Sequence, residues 1–244
     1  MQLPKIDYPI YEVQLLSQSN PIRFRPFLVK EQKIMLMAVE ANDVDNTLKA
    51  IKQVIGNCVL DPINVDDLPL ADIETLFINL RARSMGEILN LYFKCTNKVG
   101  SVGLEVSCNM VIEVPVDLLK VPQINGNISK KIMLSDTVGL MMKYPSLNSI
   151  KQLIDVGGSE VDSVINVMAS CIETIYDGDN VYETKDSTAE EVLAFIENLP
   201  GDKFELLENF VTNLPKSRFE SKQTCPKCKY EHNFVLEGLS DFFI

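Results

Sequence analysis

One histidine and no tryptophan occur in 244 residues, and the shortage of imidazole narrows the chemistry open to this chain. Histidine is the commonest general base near neutral pH, so any Ser-His or Cys-His nucleophile scheme has to use His232. No G-x-S-x-G, G-x-x-x-x-G-K-S/T or G-x-G-x-x-G motif is present, and the 11 glycines are scattered, against a phosphate-cradling loop. Carboxylate-only catalysis stays open, since acidic residues are plentiful and a sequence does not pair them. Long apolar runs are missing too: Ile34–Val39, the richest, falls far short of the ~20 residues that cross a bilayer. The first residues lack the basic-then-apolar pattern of a signal peptide. Basic charge is the scarcer sign, 23 Lys and Arg against 34 Asp and Glu, for a net −11. A surface of that sign repels phosphate backbones and disfavours generic nucleic-acid binding. These absences point to a soluble, intracellular, non-enzymatic protein.

What is present suits a globular chain with a real core: 46% hydrophobic and 23% charged residues. Residues 1–28 hold Pro4, Pro9, Pro21 and Pro26 among Tyr8, Tyr11, Phe24 and Phe27, and proline forces the residue before it into extended geometry. This reads as an arm that either wraps its own core or docks on a neighbouring subunit. From Val29 the spacing turns helical, with Ile34, Met37 and Ala38 on one face and Lys30, Glu31 and Lys33 outside it. A second helix begins behind an N-cap at Asn42 or Asp43 and ends at Gly56-Asn57, and a third runs from about Ala71 to Arg83.

The period then shortens to two. Ile88–Cys95 and Met110–Val116 read as paired strands, with two shorter ones at Lys131–Leu134 and Val138–Tyr144. Helices return at 146–156, from Ser159 to Tyr176, behind overlapping capping boxes at Ser187 and Thr188, and from Gly201 to Pro215. The expected fold is α+β, with helical segments flanking a small antiparallel sheet and a zinc-ribbon-like pair of hairpins. The expected divisions are an arm (1–28), a helical and sheet core (29–145), a helical region (146–216) and a C-terminal hairpin packing back on the core (217–244). Loops 97–107 and 177–187 are the expected mobile segments.

Six cysteines without a secretion signal suggest metal ligation more than disulfides. Cys225-Pro-Lys-Cys228 sits between Phe219–Thr224 and Tyr230–Leu236, and a Cys-x-x-Cys at a hairpin tip aims two sulfurs at one metal. Cys95 and Cys108, ending one strand and opening the next, are the best candidates for the remaining ligands of a structural zinc. Their 12 intervening residues depart from a tight knuckle, and His232 is an awkwardly placed substitute for one of them. The alternative is a degenerate ribbon of reduced, packed thiols; a redox Cys-x-x-Cys wants a helix N-terminus instead. Cys58 and Cys171 fall on apolar helix faces and read as core packing. The tail Leu239–Ile244 either plugs its own core or anchors a partner.

Several segments, in order, resemble baseplate hub proteins of T-even-type contractile-tailed phages: Phe24–Ala38, Ile51–Cys58, Leu80–Glu87 and Met142–Pro145. The resemblance spans about residues 5 to 150 and continues more weakly to the C-terminal cysteines. It implies a structural or assembly role in the tail baseplate hub, with other hub proteins or the tape-measure protein as partners. It further implies a place in the virion, and in the host cytoplasm during assembly. From a different class, a zinc-ribbon module binding nucleic acid or protein is the other reading; the net charge speaks against nucleic acid.

Overall fold

A computed structural model describes residues 6–41, 43–100, 106–146, 148 and 160–242, and within them helices and small antiparallel sheets make an α+β architecture. The chain divides into two compact units, one from residues 1–62, 74–124 and 217–244, the other from 63–73 and 125–216.

In the first unit the arm is bound to its own core. Strands β1 (Tyr11–Val13) and β2 (Ile22–Phe24) pair antiparallel, with Tyr11 opposite Phe24, and Ile22, Phe24 and Phe27 are buried. The reason is backbone satisfaction at the end of the second helix: Arg25 N–H donates to the Cys58 carbonyl (3.0 Å) and Leu60 N–H to the Arg23 carbonyl (2.9 Å). Helix α1 (Val29–Ala41) differs from expectation in its buried face, which holds Glu31, Met35 and Ala38 and leaves Met37 exposed. A helix apolar on most sides carries little phase information. Glu31 is drawn inside by Arg25, whose guanidinium meets its carboxylate at 3.1 Å and also donates to the Pro26 (2.9 Å) and Asn57 (2.8 Å) carbonyls. Helix α2 (Val44–Cys58) starts behind Asp43, which accepts from Asn46 N–H. It runs past Gly56 because Cys58, in its last turn, is wholly buried.

Helix α3 (Leu70–Met85) gives residues 74–85 to this unit. Strands β3 (Ile88–Lys94) and β6 (Val111–Asp117) then pair in register, Ile88 opposite Asp117 through Lys94 opposite Val111. Between them the short β4 (Lys98–Val99) and β5 (Val106–Ser107) extend the hairpin. Strand β7 (Gln123–Ile124) borders a sheet of order β13-β12-β7, in which β12 (Lys216–Thr224) and β13 (Glu231–Glu237) form the C-terminal hairpin. Ile78 and Ala82 of α3 share one core with Val114, Val116, Leu118, Leu236 and Phe242. The tail therefore plugs its own core as far as Phe242, where the short α7 (Gly238–Phe242) ends and Arg81 Nη1 donates to the Phe242 carbonyl at 2.7 Å.

In the second unit a four-stranded sheet of order β11-β10-β9-β8 carries the core. Strands β8 (Lys131–Met133) and β9 (Val138–Met142) form the expected hairpin. The helix expected over 159–176 is cut short: α4 spans Glu160–Cys171, and β10 (Ile172–Asp177) follows at once, between β9 and β11 (Asn180–Glu183). Ile172, Thr174, Ile175 and Tyr176 are β-branched or aromatic, and their apolar spacing fits either period. Pairing with β9 decides in favour of strand, and Gly178-Asp179 is a hairpin turn rather than a helix stop, with Gly178 at φ 57°. Loop 177–187 is thus largely hairpin. Gly139 lies opposite Tyr176, and a Cβ there would collide with the phenol.

Helix α5 (Ala189–Glu197) uses the Thr188 capping box, with Glu191 N–H donating to Thr188 Oγ1 (3.2 Å) and Thr188 N–H to Glu191 Oε2 (2.9 Å). Helix α6 (Gly201–Thr212) buries Leu207 and Phe210 in a core with Met142, Met168, Cys171 and Ile196. The helix expected over 146–156 and the glycine pair that closes it lie almost wholly outside the described residues.

Candidate metal centre

Two hairpins of the first unit bring the four expected cysteines together. Cys225 and Cys228 sit at the β12–β13 tip, where Cys225 N–H donates to the Tyr230 carbonyl (2.9 Å) and Lys229 N–H to the Cys225 carbonyl (3.0 Å). Cys95 follows β3 and Cys108 follows β5. Cys95 N–H reaches the Met110 carbonyl (2.8 Å), and Cys108 N–H the Asn97 carbonyl (2.8 Å). The 12-residue spacing is harmless because the strands of an antiparallel hairpin stay about 5 Å apart at any length, so the intervening residues project beyond the pair. Each hairpin has a left-handed residue directly after its second cysteine, Asn109 (φ 52°) and Lys229 (φ 62°). Asparagine tolerates that region and lysine does so at a cost.

The four sulfurs lie within 4.8 Å of one another. Across the hairpins Cys95 Sγ is 3.6 Å from Cys228 Sγ, and Cys108 Sγ is 3.8 Å from Cys225 Sγ. Thiolates ~2.3 Å from one ion at the corners of a tetrahedron are ~3.8 Å apart, so the spacing fits a single tetrahedral metal. The surroundings are apolar: Ile112 and Phe93 pack against the cysteines, and Cys95, Cys108 and Cys225 are buried. Burial pushes the Cys95 thiol up to about 12, whereas the Asn97 side-chain amide (Nδ2 3.5 Å from Sγ) and the Tyr230 backbone bring Cys228 down to about 6. Metal ligation needs thiolates, and a cation placed among these sulfurs would favour their deprotonation. His232 is not part of the mutually close set; its Nε2 stands 3.1 Å from Cys95 Sγ.

Cys58 and Cys171 take no part. Both are fully buried, Cys171 in the core of the second unit, and burial raises their thiols to about 11 and about 12. The exposed surface of α1 was missed from sequence: Val29, Leu36, Met37 and Val39 face solvent, each more than half exposed. The signal was available in the unbroken run Ile34–Val39, which holds more apolar side chains than one buried face can take.

Comparison with known proteins decides the family. The model of the T4 bacteriophage base plate protein family matches residues 8–244. The chain belongs to that family. The baseplate hub assembly protein gp26 of Enterobacteria phage T4 is 24% identical to it over 234 residues, covering 96% of this chain and 97% of that protein. No solved structure matches the chain. Family membership gives the protein a structural or assembly role in the phage tail baseplate, in line with the ordered segments between Phe24 and Pro145. Among the described residues no helix is long and apolar enough to cross a membrane.

Proposed function

We propose that this protein is a baseplate hub assembly component that acts through protein–protein contact without catalysis, and that a structural zinc on Cys95, Cys108, Cys225 and Cys228 clasps its two hairpins as a zinc-ribbon-like pair. The observation that carries the reading is the extent of the family match, residues 8–244. Other baseplate hub proteins or the tape-measure protein are the partners, met in the host cytoplasm during assembly and in the baseplate of the particle. The exposed apolar side chains Val29, Leu36, Met37 and Val39 of α1 support a contact role, since grouped apolar surface often marks an interaction site. The sulfur spacing and the burial of three of the four cysteines support the zinc: a soft divalent ion with a tetrahedral preference suits four thiolates.

Co-expression with the other hub proteins of the same phage tests the role. The chain is expected to co-purify with at least one of them, and Leu36→Asp with Met37→Asp is expected to abolish the complex while leaving the fold intact. A chain that stays monomeric beside all of them overturns the assembly reading. Metal analysis of protein purified without added zinc tests the site. One zinc per chain, lost in both Cys95→Ser and Cys225→Ser, is expected; retention in Cys95→Ser removes Cys95 from the ligand set.

A further inference from the structure

We propose that the two hairpins hold the metal with a reciprocal pair of side-chain donors: His232 of the C-terminal hairpin hydrogen-bonds the Cys95 sulfur of the central hairpin, and Asn97 of the central hairpin hydrogen-bonds the Cys228 sulfur of the C-terminal one. The inference rests on the zinc reading above and concerns residues outside the ligand set.

His232 is the chain's single imidazole, and β13 places it half-buried beside the site. Its ring is clamped edge-on between Phe93 (centroids 5.4 Å, planes at 76°) and Tyr230 (4.8 Å, 66°). From that position Nε2 stands 3.1 Å from Cys95 Sγ. Two aromatic neighbours have already restricted the ring, so little rotamer freedom remains to be lost when the bond forms. Asn97 stands in the mirrored position, its Nδ2 3.5 Å from Cys228 Sγ. The two acceptors, Cys95 and Cys228, are themselves the closer cross-hairpin pair at 3.6 Å.

The chemistry gives these donors an outer role. Four sulfurs complete a tetrahedron, the coordination number of structural zinc, and an imidazole nitrogen in the same sphere would be a fifth ligand. Four thiolates around a divalent cation carry a net charge of −2, and Cys95 is 0% exposed, so water cannot spread that charge at its sulfur. An N–H aimed at the sulfur takes up part of it and fixes the direction of the lone pair that binds metal. Because each donor belongs to the opposite hairpin, each bond also ties the two hairpins together independently of the ion.

Zinc affinity of the full chain, measured by competition with a chromogenic chelator, tests the proposal together with the absorption spectrum of the cobalt-substituted protein. His232→Phe keeps a ring between Phe93 and Tyr230 and removes the N–H; His232→Gln returns an amide N–H at similar reach. The Phe variant is expected to bind zinc about 10–100-fold more weakly, the range for losing an outer-sphere partner, and to shift the cysteinate-to-cobalt charge-transfer bands. The Gln variant is expected to recover most of both, with far-UV circular dichroism unchanged throughout. Asn97→Ala is expected to weaken binding in the same direction. A wild-type cobalt spectrum typical of three sulfurs and one nitrogen makes His232 a ligand and overturns the outer role. Zinc bound equally well by wild type and by His232→Phe overturns the clasp alone. A wild type that takes up neither metal overturns the zinc reading and the clasp with it.

Discussion

The two units close their cores in different ways. In the first, the closing contacts join residues far apart in sequence: Glu74 accepts from Ser217 N–H across 143 positions, Arg81 reaches Phe242 across 161, and Cys95 faces Cys228 across 133. Each is polar or sulfur chemistry, buried in the first two and half-buried in the third. In the second, the hairpins β8–β9 and β10–β11 pair neighbours in the chain, a capping box starts α5, and the core cluster is apolar apart from Cys171. Long loops must be closed before distant contacts return any stability. Directional groups then specify one register among many, which interchangeable apolar surfaces do less well. The first unit is thus built on a few specific fastenings, the second on distributed packing.

The largest test of that contrast is removal of the proposed zinc. Stripping zinc with a strong chelator is expected to cost the first unit upwards of about 5 kcal/mol, given the ~10–16 kcal/mol apparent binding energy of structural zinc sites. Hydrogen exchange should show protection lost in β3, β6, β12 and β13 and kept in the sheet of residues 131–183. Equal loss in both sets would end the contrast.

Next comes the buried ion pair. Glu31→Gln leaves Arg25 charged and buried and is expected to destabilise by about 3–5 kcal/mol in a denaturant titration. Burial alone would raise the Glu31 carboxyl, but Arg25, the Leu28 N–H and Lys30 outweigh it and hold the group below the ordinary carboxylate range. A depressed folded-state value means that the stabilisation is present above about pH 4.3, the ordinary glutamate value. It fades as pH falls from there through the folded-state pKa. Wild type should therefore lose stability over that acid range, and the Gln variant should show a flatter profile. Parallel profiles would remove the pair from the account.

A cavity in the second unit is the matching apolar test. Leu207→Ala deletes a fully buried side chain and is expected to cost about 2–5 kcal/mol, with protection lost in α4, α5 and α6. A loss well under 1 kcal/mol would mean that the core collapses around the gap and is less closely packed than its burial suggests. The smallest effect runs the other way. Lys229 holds a left-handed conformation, so Lys229→Gly should raise the thermal midpoint of the zinc-loaded protein, corresponding to about 1 kcal/mol. An unchanged or lowered midpoint would show that the tip does not store that strain.

Local rules made much of this molecule legible in advance. The Thr188–Glu191 capping box, the Asp43 cap and the alternation of Ile88–Lys94 are short-range signals, and the corresponding elements appear where they were expected. The strand at Ile172–Asp177 was not legible because Ile172 and Ile175 satisfy a helical period as well as a buried strand, and only β9 alongside chooses. Glu31 was misplaced for a similar reason: a carboxylate on a helix reads as solvent-facing until a distant arginine is known to meet it. At the candidate metal centre, Cys225-x-x-Cys228 announced itself by spacing. Cys95 and Cys108 could be nominated only as the remaining strand-end thiols, and the position of His232 beside Cys95 was out of reach.

The sequence by itself determined the ligand chemistry available, four thiols at strand ends and one imidazole, and it determined most helix and strand starts, because caps, turns and alternation act over a few residues. Only the tertiary structure decided which groups meet. The arm lies on its own core, the tail ends in it, and hairpins more than a hundred residues apart bring their sulfurs within one ion's reach. The physical reason is range: backbone propensity and capping act between near neighbours, whereas burial and directional bonding act between whatever residues the folded chain brings together.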